Sequence, residues 1–123
     1  MDLKDLIKKQ KEFDKKHNWT LEENNLDNIL ELVNKDLVGL YGEIGEFSNL
    51  IKKINLEMDG GNIDAANKLY VEYENKLSEE LIDAFIYIIR IATHLDIDIT
   101  STYLKKLNYN KERFKKYEPK EKK

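Results

Sequence analysis

The chain has no cysteine, one proline and five glycines in 123 residues. Without cysteine there are no disulfides, no zinc fingers and no thiol catalysis. With so few helix breakers, and with Lys, Glu, Leu, Ile and Asn dominant, the composition points to an all-α fold. An excess of one charge sign is also missing: 21 basic residues face 24 acidic ones, for a net charge of -3. That balance gives no support to non-specific nucleic-acid binding, so no nucleic-acid partner is expected. No apolar stretch reaches the roughly 18 residues that a membrane span needs. The best candidate, Leu81 to Leu95, is broken by Asp83, Arg90 and His94. Met1-Asp2-Leu3-Lys4-Asp5 lacks the apolar core of a signal peptide. The expectation is one helical domain with no membrane partner and a cytoplasmic location.

Leu3, Leu6, Ile7, Gln10, Phe13 and His17 recur at helical spacing and predict a first helix from about Leu3 to His17. Asn18-Trp19-Thr20 breaks it, and Thr20 with Glu23 has the form of a capping box for a short turn of helix. Leu26, Ile29, Leu30 and Val33 continue an apolar face, with Asn34 placed to cap the next helix. That helix carries Leu37, Leu40, Tyr41, Ile44, Phe47, Leu50, Ile51 and Ile54. It is expected to stop near Asp59-Gly60-Gly61-Asn62, the one clear loop signal.

Ile63 to Glu74 reads as a weaker amphipathic segment, and a third main helix is predicted from about Lys76 to Leu95. Asp98 is placed to cap a last helix carrying Ile99, Tyr103, Leu107, Asn110 and Phe114, which ends before Pro119. Four main helices with short connections predict an antiparallel four-helix bundle. The third helix is apolar on more faces than a small monomer covers. That predicts a homo-oligomer, dimer or tetramer.

Two acidic signatures lie inside these helices. One is Gly42-Glu43-Ile44-Gly45-Glu46-Phe47; the other is Glu79-Glu80-Leu81-Ile82-Asp83, running into Ala84-Phe85-Ile86-Tyr87-Ile88-Ile89. Glu43 and Glu46, and Glu80 and Asp83, are three apart, so each pair shares one helix face. Glu43 is in line with Leu40, Phe47, Leu50 and Ile54, and Glu80 with Leu77, Ala84, Tyr87 and Ile91. An ionised carboxylate beside an apolar stripe is costly unless something pairs with it. In a chain with 37% charged residues one such pair is ordinarily solvated surface. Two pairs bordering core stripes point instead to a hard oxygen cage for Mg2+ or Mn2+.

Gly39, Gly42 and Gly45 fall inside one predicted helix, each at a cost of about 1 kcal/mol relative to Ala. Close helix packing and clearance for a ligand are both open readings of that strip. Lys106, Asn110 and Arg113 share a face of the last helix and can serve a phosphate, or form an ordinary polar face. Trp19 and His17 are open between a core role and stacking on a base. His94 reads as a surface or helix-end residue.

Taken in order, these residues resemble the MazG-like all-helical nucleoside triphosphate pyrophosphohydrolases, most of all their small single-domain type that includes dCTP pyrophosphatases. The family pattern is E-x-x-E on one helix and E-x-x-D on the next, here Glu43-Ile44-Gly45-Glu46 and Glu80-Leu81-Ile82-Asp83. The stretch from Leu37 to Glu46 resembles the first metal helix and Glu79 to Ala92 the second, with Tyr87 one turn beyond the acid. Lys106, Asn110 and Arg113 match a downstream K-x-x-x-N-x-x-R pattern, and Phe13 through Trp19 is similar to the segment before the first metal helix. The resemblance covers roughly Phe13 to Phe114. Lys53 stands where the dCTP-pyrophosphatase-like members carry a stacking aromatic, so the likeness does not extend to dCTP as substrate.

The resemblance implies a MazG-like domain over residues 1–118, a basic tail over 119–123, and hydrolysis of a nucleoside triphosphate between the α and β phosphates. It implies Glu43, Glu46, Glu80 and Asp83 as metal ligands and catalytic groups. It also implies Trp19, Lys53, Tyr87, Lys106, Asn110 and Arg113 as substrate contacts, Mg2+ (or Mn2+) as cofactor, and nucleotide house-cleaning as the role. The alternative is a non-catalytic helical oligomerisation module, which has no need of the four acids. A di-iron bundle needs two Glu-x-x-His pairs. The only histidines, His17 and His94, are preceded at that spacing by Asp14 and Ile91.

Overall fold

The computed structural model describes residues 1–120. The basic tail expected over 119–123 therefore lies outside the described residues from position 121 onward. The chain is all-α: helices α1 (Leu3–Lys16), α2 (Leu26–Asp59), α3 (Ile63–His94) and α4 (Ile99–Arg113), then a 3-10 turn at Lys115–Tyr117. No strand occurs among the described residues, and no helix there is long and apolar enough to cross a membrane.

Capping chemistry sets the helix starts. Asp2 accepts from the Asp5 backbone N–H at 3.0 Å, while the Asp5 side chain accepts from the Asp2 N–H at 3.2 Å, closing a capping box on α1. Asn25 accepts from the Asn28 N–H at 2.9 Å and opens α2. The cap expected at Asn34 is thus nine residues too late: Asn34 is an exposed residue inside α2. Its neighbours Ile29, Leu30, Val33, Leu37 and Leu40 keep one apolar row going, and a single Asn on the solvent side does not end it. The Thr20–Glu23 capping box does not form either. Glu23 accepts from Asn25 Nδ2 at 3.0 Å instead, and residues 20–25 hold no helix. Asp98 caps α4 as expected, accepting from the Ser101 N–H at 3.0 Å.

Three helices end in Schellman motifs, each needing one left-handed residue. After α2 that residue is Gly61, φ 77, with Gly61 N–H on Met58 O at 3.1 Å and Asn62 N–H on Glu57 O at 2.9 Å. After α1 it is Asn18, φ 60, and after α3 it is Asp96, φ 54. The corresponding long closures run from Trp19 N–H to Asp14 O at 2.9 Å and from Ile97 N–H to Ala92 O at 2.8 Å. Asn and Asp tolerate this conformation better than other side chains. The weaker segment from Ile63 and the helix predicted from Lys76 are one continuous α3, because no Gly or Pro separates them.

The Gly60-Gly61-Asn62 turn folds α3 back antiparallel onto α2, and this pair carries most of the packing. α1 lies against α3, and α4 packs sparsely on the rest. The buried apolar side chains among the described residues are Leu50, Ala66, Leu77, Ala84, Ile89 and Ala92. Half of them are alanine, so a single chain encloses little core. Two polar ties hold the helices in register. Arg90 Nε donates to Asp14 Oδ1 at 3.0 Å, joining α3 to α1; Gln10 Nε2 donates to the same oxygen at 2.9 Å. His94 Nε2 meets Asp36 Oδ2 at 2.8 Å, joining α3 to α2.

Candidate metal centre

The antiparallel pair decides where the acids go. Glu43 and Glu46 are one turn apart on α2, and Glu80 faces them from α3. Each of the three offers a carboxylate oxygen, and these oxygens lie within 4.8 Å of one another. Glu80 is buried, Glu43 half-buried and Glu46 exposed, so the cluster opens to solvent on the Glu46 side. Glu43 Oε2 and Glu80 Oε2 are buried with no hydrogen-bond partner. A buried oxygen without a donor is costly, and an acid pair cannot supply one unless it takes up a proton or a cation arrives.

The protonation equilibria register that crowding. The Glu46 carboxyl is held above its ordinary value of 4.5, first because a proton on it can be shared with Glu80 and then by the Glu80 charge. Burial and Asp83 push the same way, while Lys76 opposes them. Glu80 is raised too, first because a proton on it can be shared with Glu43. Asp83 is exposed and stands outside the three-acid group, yet its charge reaches both Glu46 and Glu80. Of the four acids singled out in the sequence, three converge and the fourth borders them.

The other sequence candidates fall in two places. Trp19 sits in the connection after α1, 48% exposed, and stacks on His17 with ring centroids 4.9 Å apart. The Arg90 guanidinium lies 5.0 Å from the Trp19 ring centre and 5.4 Å from that of Tyr87. Trp19 is thus neither in the core nor free. The hydroxyl end of the Tyr87 ring in turn packs against Gly39, where a Cβ would overlap it. Gly39 is the packing glycine of the strip; Gly42 and Gly45 have nothing within 4 Å. Lys53 is exposed two turns beyond Glu46 on α2.

Lys106, Asn110 and Arg113 share a face of α4, but within one chain no ion pair or hydrogen bond links them to the acids among the described residues. Lys106 lies 5.0 Å from the Tyr109 ring centre and Arg113 4.6 Å from that of Phe114. Lys106 also lines a groove with Leu37, Leu40 and Ile88, not the acidic cluster.

Two buried residues escaped the sequence reading. Asp14, 5% exposed, pairs with Arg90; His94 ends α3, as one of its two readings has it, but is 5% exposed and buried on Asp36 rather than on the surface. The available signal was the cost of Arg90 and His94 inside an otherwise apolar run, which asks for a partner. No family model, no curated protein and no solved structure matches the chain.

Proposed function

We propose that the chain is a magnesium-dependent nucleoside triphosphate pyrophosphohydrolase that cuts between the α and β phosphates and releases pyrophosphate. The observation that carries this reading is the convergence of Glu43, Glu46 and Glu80 with two buried oxygens left without a partner. All donors are carboxylate oxygens, the ligand type that suits Mg2+ or Mn2+ rather than zinc or copper. Three converging carboxylates, two of them with raised proton affinity, are poorly arranged for a scaffold and well arranged for a cation. The order of the two acidic motifs, Tyr87, and the Lys106–Asn110–Arg113 face supports the MazG-like reading.

In this mechanism Glu43, Glu46 and Glu80 would hold the metal, and Asp83 would add charge at the rim. A bound divalent cation would offset charge on the phosphates and ease ionisation of the attacking water. An unprotonated carboxylate of the same set accepts the proton of that water. Lys106 and Arg113, placed away from the acids within one chain, would offset charge on the leaving pyrophosphate from a neighbouring copy in the oligomer, with Asn110 orienting it. Trp19, Tyr87 and Lys53 would supply further substrate contacts. The role is clearance of surplus or non-standard nucleotides. The working form is a homo-oligomer, dimer or tetramer.

Pyrophosphate release in magnesium, measured across a panel of ribo- and deoxyribonucleoside triphosphates, tests the reading. Release from at least one substrate, abolished by chelator, is the expected result. No release from any of them, at enzyme concentrations where magnesium demonstrably binds, favours the non-catalytic module.

A further inference from the structure

Arg90 is held in a way that a purely structural ion pair does not require. Asp14 Oδ1 accepts from Arg90 Nε at 3.0 Å and from Gln10 Nε2 at 2.9 Å, so the carboxylate grips the arginine at its elbow. An Arg–carboxylate tie is strongest with two parallel N–H bonds, which engage a terminal nitrogen as well. Here the terminal nitrogens bond no protein group among the described residues. Neither belongs to the buried atoms left without a partner, so solvent reaches them, although the Arg90 side chain is only 16% exposed. The backbone oxygen of the same Asp14 accepts the Trp19 N–H at 2.9 Å. One buried residue thus places both Arg90 and Trp19.

Helical phase puts this fork on the acidic side of α3. Glu80, Asp83, Tyr87 and Arg90 fall within about 80° of one another around the helix. Arg90 stands seven residues beyond Asp83 and ten beyond Glu80, roughly 10 and 15 Å along the axis. That is too far for a phosphate held among Glu43, Glu46 and Glu80, and it is a separation that a nucleotide spans from its phosphates to its base. The guanidinium carbon lies 5.0 Å from the Trp19 ring centre and 5.4 Å from that of Tyr87. A flat ligand entering beside these rings meets the terminal N–H groups along its edge.

We propose that Arg90 is a specificity-determining residue that selects a nucleobase whose edge carries two adjacent hydrogen-bond acceptors, guanine through O6 and N7 or cytosine through O2 and N3. The proposal rests on the nucleotide reading of the acidic site. With Nε occupied by Asp14, the guanidinium has only N–H donors left and no acceptor. Two neighbouring acceptors satisfy a pair of these donors at once, the geometry by which Arg recognises guanine. Adenine and uracil place an N–H next to the acceptors of their open edges. One Arg90 N–H then faces another N–H, and one bond is lost.

Trp19 is the only tryptophan of the chain, so its fluorescence reports this site alone. Titration with GMP, CMP, AMP and UMP needs neither magnesium nor turnover. By the change in Trp19 emission, GMP or CMP is expected to bind at least about fivefold more tightly than AMP and UMP, the lower bound for a bidentate pair. Arg90→Lys keeps a charge beside Asp14 and loses the fork, and is expected to bring the four affinities within about twofold of one another. A merely structural tie predicts an equal change for all four, or none, with their ratio kept. Should Arg90→Lys not fold, the parent chain decides through the ligand. Removing one ring acceptor from the preferred base, as 7-deaza-GMP or 3-deaza-CMP, is expected to lower its affinity to that of AMP. Equal affinities for the four, no response to any of them, a ratio unchanged in Arg90→Lys, or full affinity for the deaza analogue overturns the proposal. Pyrophosphate release without base preference would leave the enzymatic reading standing and remove this one. A base preference in binding without any release would do the reverse.

Discussion

His94 Nε2 sits 2.8 Å from Asp36 Oδ2, with the two side chains 4% and 15% exposed, and so fastens the last turn of α3 to α2. The bond is charge-assisted on the Asp36 side, and little water reaches either partner. His94→Ala removes the donor and strands a half-buried carboxylate. A loss of about 1.5–3 kcal/mol is expected in urea unfolding, the range for hydrogen bonds to charged groups. His94→Ala in an Asp36→Ala background is expected to cost much less, and a double-mutant cycle reads the coupling. A cycle with no coupling energy would remove this tie from the account of how α3 is held in register.

The three glycines of α2 are expected to respond in opposite senses. Gly39→Ala drives a methyl into the Tyr87 ring, so the variant is destabilised unless Tyr87 moves off α2. Gly42→Ala and Gly45→Ala meet nothing within 4 Å. Each is expected to stabilise the chain by about 1 kcal/mol through helix propensity alone. Denaturant midpoints of the three variants check this. A loss of pyrophosphate release in a stabilised Gly42→Ala chain would mean the open space beside Glu46 is needed by the substrate.

Glu46 and Glu80 give the apo chain an unusual pH response. Both carboxyls are raised above 4.5 in the folded state, so the folded chain binds their protons more tightly than the unfolded one. Their contribution to stability is fully present below that value and fades as pH rises through the raised folded values. Asp98 works the other way. The Ser101 N–H holds it below 3.8, so its contribution is present above that value and is lost as pH falls through the lower folded one. Comparing the parent with Glu46→Gln plus Glu80→Gln by thermal melts from pH 4 to 8 isolates the pair. The parent is expected to fall behind the variant as pH rises. Magnesium should reverse this, since it binds the deprotonated acids. At 100 times its Kd it adds about 2.7 kcal/mol, with the larger gain at the higher pH.

The parts of the molecule carried by local chemistry were legible in the sequence. Apolar period, the Asp98 cap and the Gly60-Gly61 turn depend on neighbours along the chain, and Glu43, Glu46 and Glu80 were set by helical phase. The start of α2 was not legible, because Asn25 and Asn34 are equally good caps and only the backbone conformation separates them. Asn18 and Asp96 hide left-handed helix ends behind residues that also serve as ordinary surface. The Asp14–Arg90 and Asp36–His94 ties span 76 and 58 positions, and helical phase says nothing about such distant partners. The placement of Lys106 and Arg113 away from the acids is of the same kind. Their spacing fixes a face of α4, while its orientation depends on the short, exposed connection around Asp96.

Glu80 is the acid on which the proposed site depends most. It is the buried member, it faces both Glu43 and Glu46, and one of its oxygens lacks any partner. Glu80→Gln removes one charge at the point where the three carboxylates meet, and also supplies an amide N–H to a neighbouring oxygen. The apo chain is therefore expected to melt at an equal or higher temperature, while its magnesium-induced shift disappears and pyrophosphate release drops by orders of magnitude. Glu43→Gln and Glu46→Gln should follow the same pattern. Asp83→Asn, outside the group but near enough to raise both neighbours, should weaken magnesium binding and lower the rate, with a smaller change in the apo melt. The decisive feature is the divergence of the two readouts, since a purely structural acid lowers both stability and activity. A Glu80→Gln chain that unfolds more easily yet still responds to magnesium would assign Glu80 to the core and leave the site without its central ligand.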